Sequence, residues 1–104
     1  MRAAREVNLP FNDRFRDQML KGLKTMTSRT KRYGETGNTF AAFGATFLIR
    51  VTTQFTLGEI ARYFYRNEGF SSPEEFIAFW NEIHPRKGYD PEQKVYVHDF
   101  SKGE

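Results

Sequence analysis

Apolar and polar positions along this chain repeat with two different periods, and the switches between them mark out its elements. Asn12 or Asp13 is a suitable N-cap, and Phe15, Met19 and Leu20 then recur at helical spacing until Gly22, which can take the left-handed conformation that ends a helix. Met26 to Arg29 is rich in strand-compatible residues and predicts a short strand, followed by a basic loop through Lys31, Arg32, Tyr33, Gly34 and Gly37. Phe40 to Phe43 and Thr46 to Thr53 predict a hairpin joined at Gly44. In its second strand Phe47, Ile49 and Val51 alternate with Thr46, Leu48, Arg50 and Thr52.

The helical period then returns twice. Thr56-Leu57-Gly58-Glu59 has the form of a capping box and opens a helix with Leu57, Ile60, Ala61 and Phe64 as its apolar positions, ending near Asn67 or Gly69. Ser72-Pro73-Glu74-Glu75 repeats that form, with proline at the first helical position and carboxylates where the helix dipole favours negative charge. Phe76, Ile77, Trp80 and Ile83 carry this helix to Pro85. After a turn through Gly88 and Pro91, Lys94 to Phe100 alternates Val95, Val97 and Asp99 against Tyr96, His98 and Phe100, a last strand. Met1 to Leu9 has little periodicity and reads as a tail or an edge strand. The order of elements predicts an α+β domain, a small open barrel or curled sheet with helices packed on it.

Composition narrows what such a domain can do. At 104 residues the chain forms one domain with one core, and eleven Phe, five Tyr and one Trp supply much of its buried area. The absence of cysteine excludes disulfides, thiolate metal sites and thiol nucleophiles, and two histidines, His84 and His98, are too few for a typical zinc site. No cofactor or metal is expected. No apolar run is long enough to span a bilayer and no signal-peptide core is visible, so a cytoplasmic protein without a membrane partner is expected, with a monomer as the default. Net charge is +3, but residues 1–34 hold nine Lys and Arg against three Asp and Glu, whereas residues 35–104 hold seven against ten. If these charges converge on one face, a polyanion such as RNA is the fitting partner; otherwise they are a solvated helix face and a basic tail.

The densest chemistry lies in Gly22-Leu23-Lys24-Thr25-Met26-Thr27-Ser28-Arg29, where helix gives way to strand. Strand parity puts Thr25, Thr27 and Arg29 on one face, and a turn at residues 22–24 would free Lys24 to join them. A lysine beside an arginine in a partly buried site loses its proton more readily. Lys24 could then act as a base toward the Thr27 hydroxyl while Arg29 holds an anionic or carbonyl oxygen. Glu68, beside Gly69 at a chain reversal, could face Lys24 as an ion pair or proton relay. From the residues alone, exposed cations, a strand-forming threonine and a solvated glutamate are the commoner outcome. Tyr33, Tyr63, Tyr65 and Phe70 could wall a nucleobase or belong to the core. His84 reads as a helix cap, and His98 as a satisfied strand histidine that could instead stack on a base.

The spacing Gly22-x-Lys24-x-x-x-x-Arg29 resembles the signature of the ASCH domain, a member of the PUA-like group of RNA-binding β-barrels. The full octapeptide is similar to the small single-domain subgroup that includes N4-acetylcytidine amidohydrolase. The resemblance spans most of residues 1–104 and implies a small PUA-like barrel with flanking helices. It implies Lys24, Thr27 and Glu68 as the catalytic set with Arg29 in the same pocket, and the residues themselves put forward Gly22, Arg29, Lys31, Arg32 and Tyr33 as those that bind nucleoside or RNA. Two functions follow as expectations. One is an amidohydrolase that removes the acyl group from N4-acetylcytidine-type nucleosides. The other is a non-catalytic RNA-binding module in RNA processing or translation-related regulation.

Overall fold

The alternation in the strands holds for part of their length and then reverses, and the reversal curls the sheet. The computed structural model describes residues 5–103. Its strands are β1 (Met26–Arg29), β2 (Thr39–Ala42), β3 (Ala45–Thr56) and β4 (Lys94–Lys102), in one antiparallel sheet of order β1-β4-β3-β2. The β2–β3 hairpin turns through Phe43 and Gly44, both at positive φ (53° and 77°), as a two-residue turn matched to strand twist requires.

In β3, Ile49 pairs with Phe100 and Val51 with Asp99, which leaves Arg50 as the extra residue of a β-bulge. Before the bulge Phe47 and Ile49 point into the core. After it the parity is inverted, so Val51, expected beside Ile49, is 44% exposed. Thr52 turns partly inward instead and its hydroxyl donates to the Gly34 carbonyl (2.8 Å). In β4 both parities are buried, Val95 and Val97 on one face and His98 and Phe100 on the other. The result is a curled, half-barrel sheet enclosed on opposite faces along its length. Phe11, Phe40, Phe47 and Phe100 form one aromatic group, with Phe40 to Phe47 and Phe40 to Phe100 ring centroids 5.2 and 5.3 Å apart. Phe15, Phe70, Phe76, Phe79 and Trp80 form a second among the helical segments.

The Asn12 side chain accepts the Arg14 N–H (3.0 Å) and opens a 3-10 turn, Asp13–Phe15, that continues into α1 (Arg16–Leu20). The first capping box forms in full, Thr56 Oγ1 accepting the Glu59 N–H (3.2 Å) and Glu59 Oε1 the Thr56 N–H (2.8 Å). It opens only one α turn, α2 (Leu57–Glu59), before a π-helical turn over Ile60–Phe64. The second box is half formed. Ser72 caps α3 (Pro73–Ile83) by accepting the Glu75 N–H (3.1 Å), but the Glu75 carboxylate accepts from the Ser71 hydroxyl (2.9 Å) and lies 3.7 Å from Arg14. Phe76 and Trp80 are the buried positions of α3, whereas Ile83 is 47% exposed. The expected edge segment runs parallel to Thr39 at residues 5–7, through Val7 N–H to Thr39 O and Thr39 N–H to Arg5 O (2.8 Å each); residues 1–4 lie outside the described residues.

The bulge yields a paired prediction. Phe100→Ala removes a 1% exposed ring packed on three others and should cost about 3–5 kcal/mol in urea unfolding. Val51→Ala should cost less than about 1 kcal/mol, whereas an unbulged strand would make it comparable to a core truncation.

Candidate functional site

The site begins where α1 stops. Gly22, at φ 77°, reverses the chain, and the N–H groups of Leu23 and Lys24 both bond to the Gln18 carbonyl (2.7 and 3.1 Å). This tight return carries Lys24 inward to 2% exposure. The next two N–H groups, of Thr25 and Met26, donate to the Asn67 carbonyl (2.9 and 3.0 Å) and fasten the start of β1 to the segment following the π-helical turn. There Gly69 takes φ 101°, a conformation that residues with a side chain rarely adopt, with Gln18, Lys24 and Phe15 packed against it, and the reversal turns Glu68 inward to 3% exposure.

Lys24 Nζ consequently donates to the carbonyls of Met26 (2.8 Å) and Glu68 (2.5 Å), and lies 3.7 Å from Glu68 Oε1. The face of the Phe15 ring, its centroid 4.3 Å away, closes another side. Glu68 Oε2 accepts from the Ser28 hydroxyl at 2.6 Å. Burial lowers the Lys24 pKa to about 8, assisted by Arg29 and Arg14 and opposed by the attraction of Glu68. Burial likewise raises Glu68, against the pull of Lys24, the Ser28 hydroxyl and Arg29. Both members are thus pushed toward their neutral forms while their mutual attraction favours the ion pair.

Thr27 belongs to the other parity of β1. Its Oγ1 accepts from Arg29 Nε (3.0 Å), and the guanidinium also donates to the Pro10 carbonyl (2.5 Å) and lies over the Phe11 and Tyr33 rings. His98, paired in register with Thr27, accepts the Tyr33 N–H at Nε2 (3.0 Å), with Nδ1 3.4 Å from the Thr27 carbonyl. An accepting Nε2 requires the neutral ring, in keeping with a pKa lowered by burial. The basic loop is thereby pinned to β1.

Lys24, Thr27, Arg29, Tyr33 and Glu68 all line one cavity of about 310 Å³, at the lower end of the range for small-ligand pockets. Gly22, Lys31 and Arg32 do not line it. Gly22 acts through its backbone, as the left-handed residue that ends α1, and Lys31 and Arg32 are exposed on the loop. No hydrogen bond joins Lys24 to Thr27 among the described residues. The turn returns Lys24 to the parity of Met26 and Ser28, toward Glu68, rather than to that of Thr27 as parity release had suggested. The aromatic wall also differs from expectation. Tyr63 is 65% exposed, and neither it nor Tyr65 reaches the cavity; Phe15, Phe79, Trp80 and His84 do, along with Tyr33 and Phe70. His84 caps α3 through its N–H to the Trp80 carbonyl (2.9 Å) and stacks on the indole. Ser28, expected only as scaffold on the face away from Thr27, is instead the hydroxyl that meets Glu68. The α3 residues carried only the signal of an apolar helix stripe.

Among the described residues, no group of three or more His, Asp or Glu side chains is placed to hold a metal, and no helix is long and apolar enough to cross a membrane. No family model and no curated protein matches the sequence. Solved structures do match the fold. An ASCH domain from Lactobacillus crispatus JV V101 aligns with TM-score 0.67 at 12% identity, covering 95% of this chain and 79% of that one. A protein from Enterococcus faecalis V583 of the DUF984 family model aligns with TM-score 0.67 at 16% identity, covering 86% of this chain and 67% of that one. The chain therefore has the fold of an ASCH domain, an α+β half-barrel with flanking helices.

The His98 link gives a pH prediction. Its folded pKa is lowered, so the unfolded chain binds the proton more readily and stability is lost as pH falls below about 6.5. The melting temperature should drop between pH 7.5 and 5, and His98→Gln, which can still accept from Tyr33 N–H without titrating, should remove that part of the drop.

Proposed function

We propose that this chain is an amidohydrolase acting on an acylated cytosine nucleoside of the N4-acetylcytidine type. The observation that carries the reading is a buried lysine–glutamate pair, each member pushed toward its neutral form, opening on the same cavity as Thr27 and Arg29. Two of the Lys24 hydrogens are donated to fixed carbonyls. Its remaining position can carry either a proton or a lone pair without loss of those bonds. That is the property required of a base working near neutral pH.

In the neutral pair, Lys24 takes the proton of the Thr27 hydroxyl across the cavity that both line, and Thr27 Oγ1 attacks the acyl carbonyl. Arg29 Nε, already donating to that oxygen, stabilises its developing negative charge. Glu68 gives its proton to the leaving amine as the C–N bond breaks, leaving an acyl-threonine ester. Water then yields a proton to the Glu68 carboxylate and its hydroxide to the ester, and Lys24 returns its proton to Thr27. The sum is amide plus water to amine plus carboxylic acid. The flat base is accommodated by the aromatic wall, where rings supply stacking surface.

A second reading rests on Lys31 and Arg32, exposed beside the cavity residue Tyr33: the pocket holds one unstacked base of an RNA whose phosphates meet these cations. Binding of free nucleoside without any oligonucleotide binding at low salt excludes it.

Purified, folded protein should release acetate from N4-acetylcytidine, and Lys24→Met or Thr27→Ala should reduce the rate by about 100-fold or more. Absence of turnover above buffer sinks the enzyme reading. The wild-type kcat/KM should pass through a maximum with pH, because the step needs Lys24 without its proton and Glu68 with its own, and Lys24, its pKa lowered to about 8, sets an inflection near 8. In the residual activity of Glu68→Gln that inflection should move to lower pH, because the carboxylate that favours the charged ammonium is gone.

A further inference from the structure

Ser28 stands outside the side chains assigned to the reaction, yet it makes the shortest side-chain to side-chain hydrogen bond among the described residues, 2.6 Å from Oγ to Glu68 Oε2. It is 7% exposed, lines the cavity, and sits in the middle of β1 with its Cα paired to Val97 of β4. Glu68 has no such fixed base. It follows a π-helical turn in a segment of successive turns, and apart from the Ser28 hydroxyl its carboxylate is faced by Lys24 at 3.7 Å, by the Ser28 backbone N–H and by the charge of Arg29. A strand residue thus holds one oxygen of a carboxylate that a loop supplies.

We propose that Ser28 is a positioning residue: by donating to Oε2 it locks the Glu68 carboxyl to the sheet and leaves Oε1 as the single oxygen that exchanges protons with Lys24 or a ligand. This rests on the reading that Lys24 and Glu68 handle protons together. The bond also selects a charge state. A hydroxyl that donates to a carboxylate favours the ionised form, acting with Lys24 and Arg29 against burial. Lys24 in turn is faced by Glu68, Arg29 and Arg14, so a less ionised Glu68 leaves the two arginines less opposed and the ammonium less favoured. Ser28 therefore touches the base through the acid, without contact with the amine.

The test is the titration of the Glu68 carboxyl carbon by 13C NMR in intact protein, its signal assigned by loss in Glu68→Gln. Ser28→Ala should raise the Glu68 midpoint by about one to two pH units, the worth of a hydrogen bond to a charged group. Ser28→Cys, a weaker donor of similar size, should raise it less, and is read alone if the alanine variant does not fold. The inflection of kcat/KM near pH 8 should fall in the same variants. An unchanged Glu68 midpoint overturns the proposal whether or not the enzyme is active. A shifted midpoint in a protein that releases no acetate upholds the role of Ser28 and defeats the amidohydrolase reading.

Discussion

Enclosing a lysine and a glutamate side by side takes both out of water at a cost of several kcal/mol per ion, and the domain is arranged around meeting that cost. The ammonium receives two backbone carbonyls and an aromatic face, and the carboxylate receives a hydroxyl from a central position in β1. These partners come from segments far apart in sequence. They meet because Gly22 turns the end of α1 back, because the Asn67 carbonyl accepts two successive N–H groups of β1, and because Gly69, at positive φ, reverses the chain beside Gln18 and Lys24. Losing any one of these leaves a buried charge without its partner, which is far costlier than losing an exposed ion pair.

The same enclosure explains why an aromatic-rich core leaves a cavity. Rings meet edge to face around Phe15, Phe70, Phe76 and Phe79, with centroids 5.4–5.7 Å apart, and their rigid planes leave space where aliphatic chains would interdigitate. That space lies over the polar floor formed by Lys24, Ser28 and Glu68. A ligand entering it meets a low-dielectric wall on one side and fixed dipoles on the other, the setting in which proton transfers and charge stabilisation act most strongly.

Much of this frame was legible in the residues, because local signals and the final fold agree. The strand at Met26–Arg29, the stop at Gly22 and the box at Thr56–Glu59 are each specified within four or five residues. Three features were not. The bulge at Arg50 inverts β3 through pairing with β4, a partner more than forty residues away, so Val51 reads as core from its own strand alone. The half-formed box at Ser72 depends on Arg14 and Ser71 competing for the Glu75 carboxylate. The division of labour between Thr27 and Ser28 depends on which face of β1 the Glu68 segment reaches, and no spacing within the octapeptide carries that.

The folded chain also changes what its charge means. The excess of cations in the first 34 residues suggested a polyanion, but three of these nine groups are turned inward or occupied. Lys24 is buried; Arg29 is shared among Thr27, Pro10, Phe11 and Tyr33; Arg14 lies over Phe15, Phe70 and Phe79 and pairs with Glu75. An arginine held by a carbonyl, a hydroxyl and two rings is preorganised for one small group in the cavity and is poorly available to a passing phosphate. Arg14 nonetheless keeps its side chain 40% exposed, and Arg5, Arg16, Lys21, Lys31 and Arg32 are exposed as well, so the outer surface retains most of the cations available to phosphates. The folded state thus divides the cations of the first 34 residues between a buried site and an exposed surface, a division that net charge alone does not show.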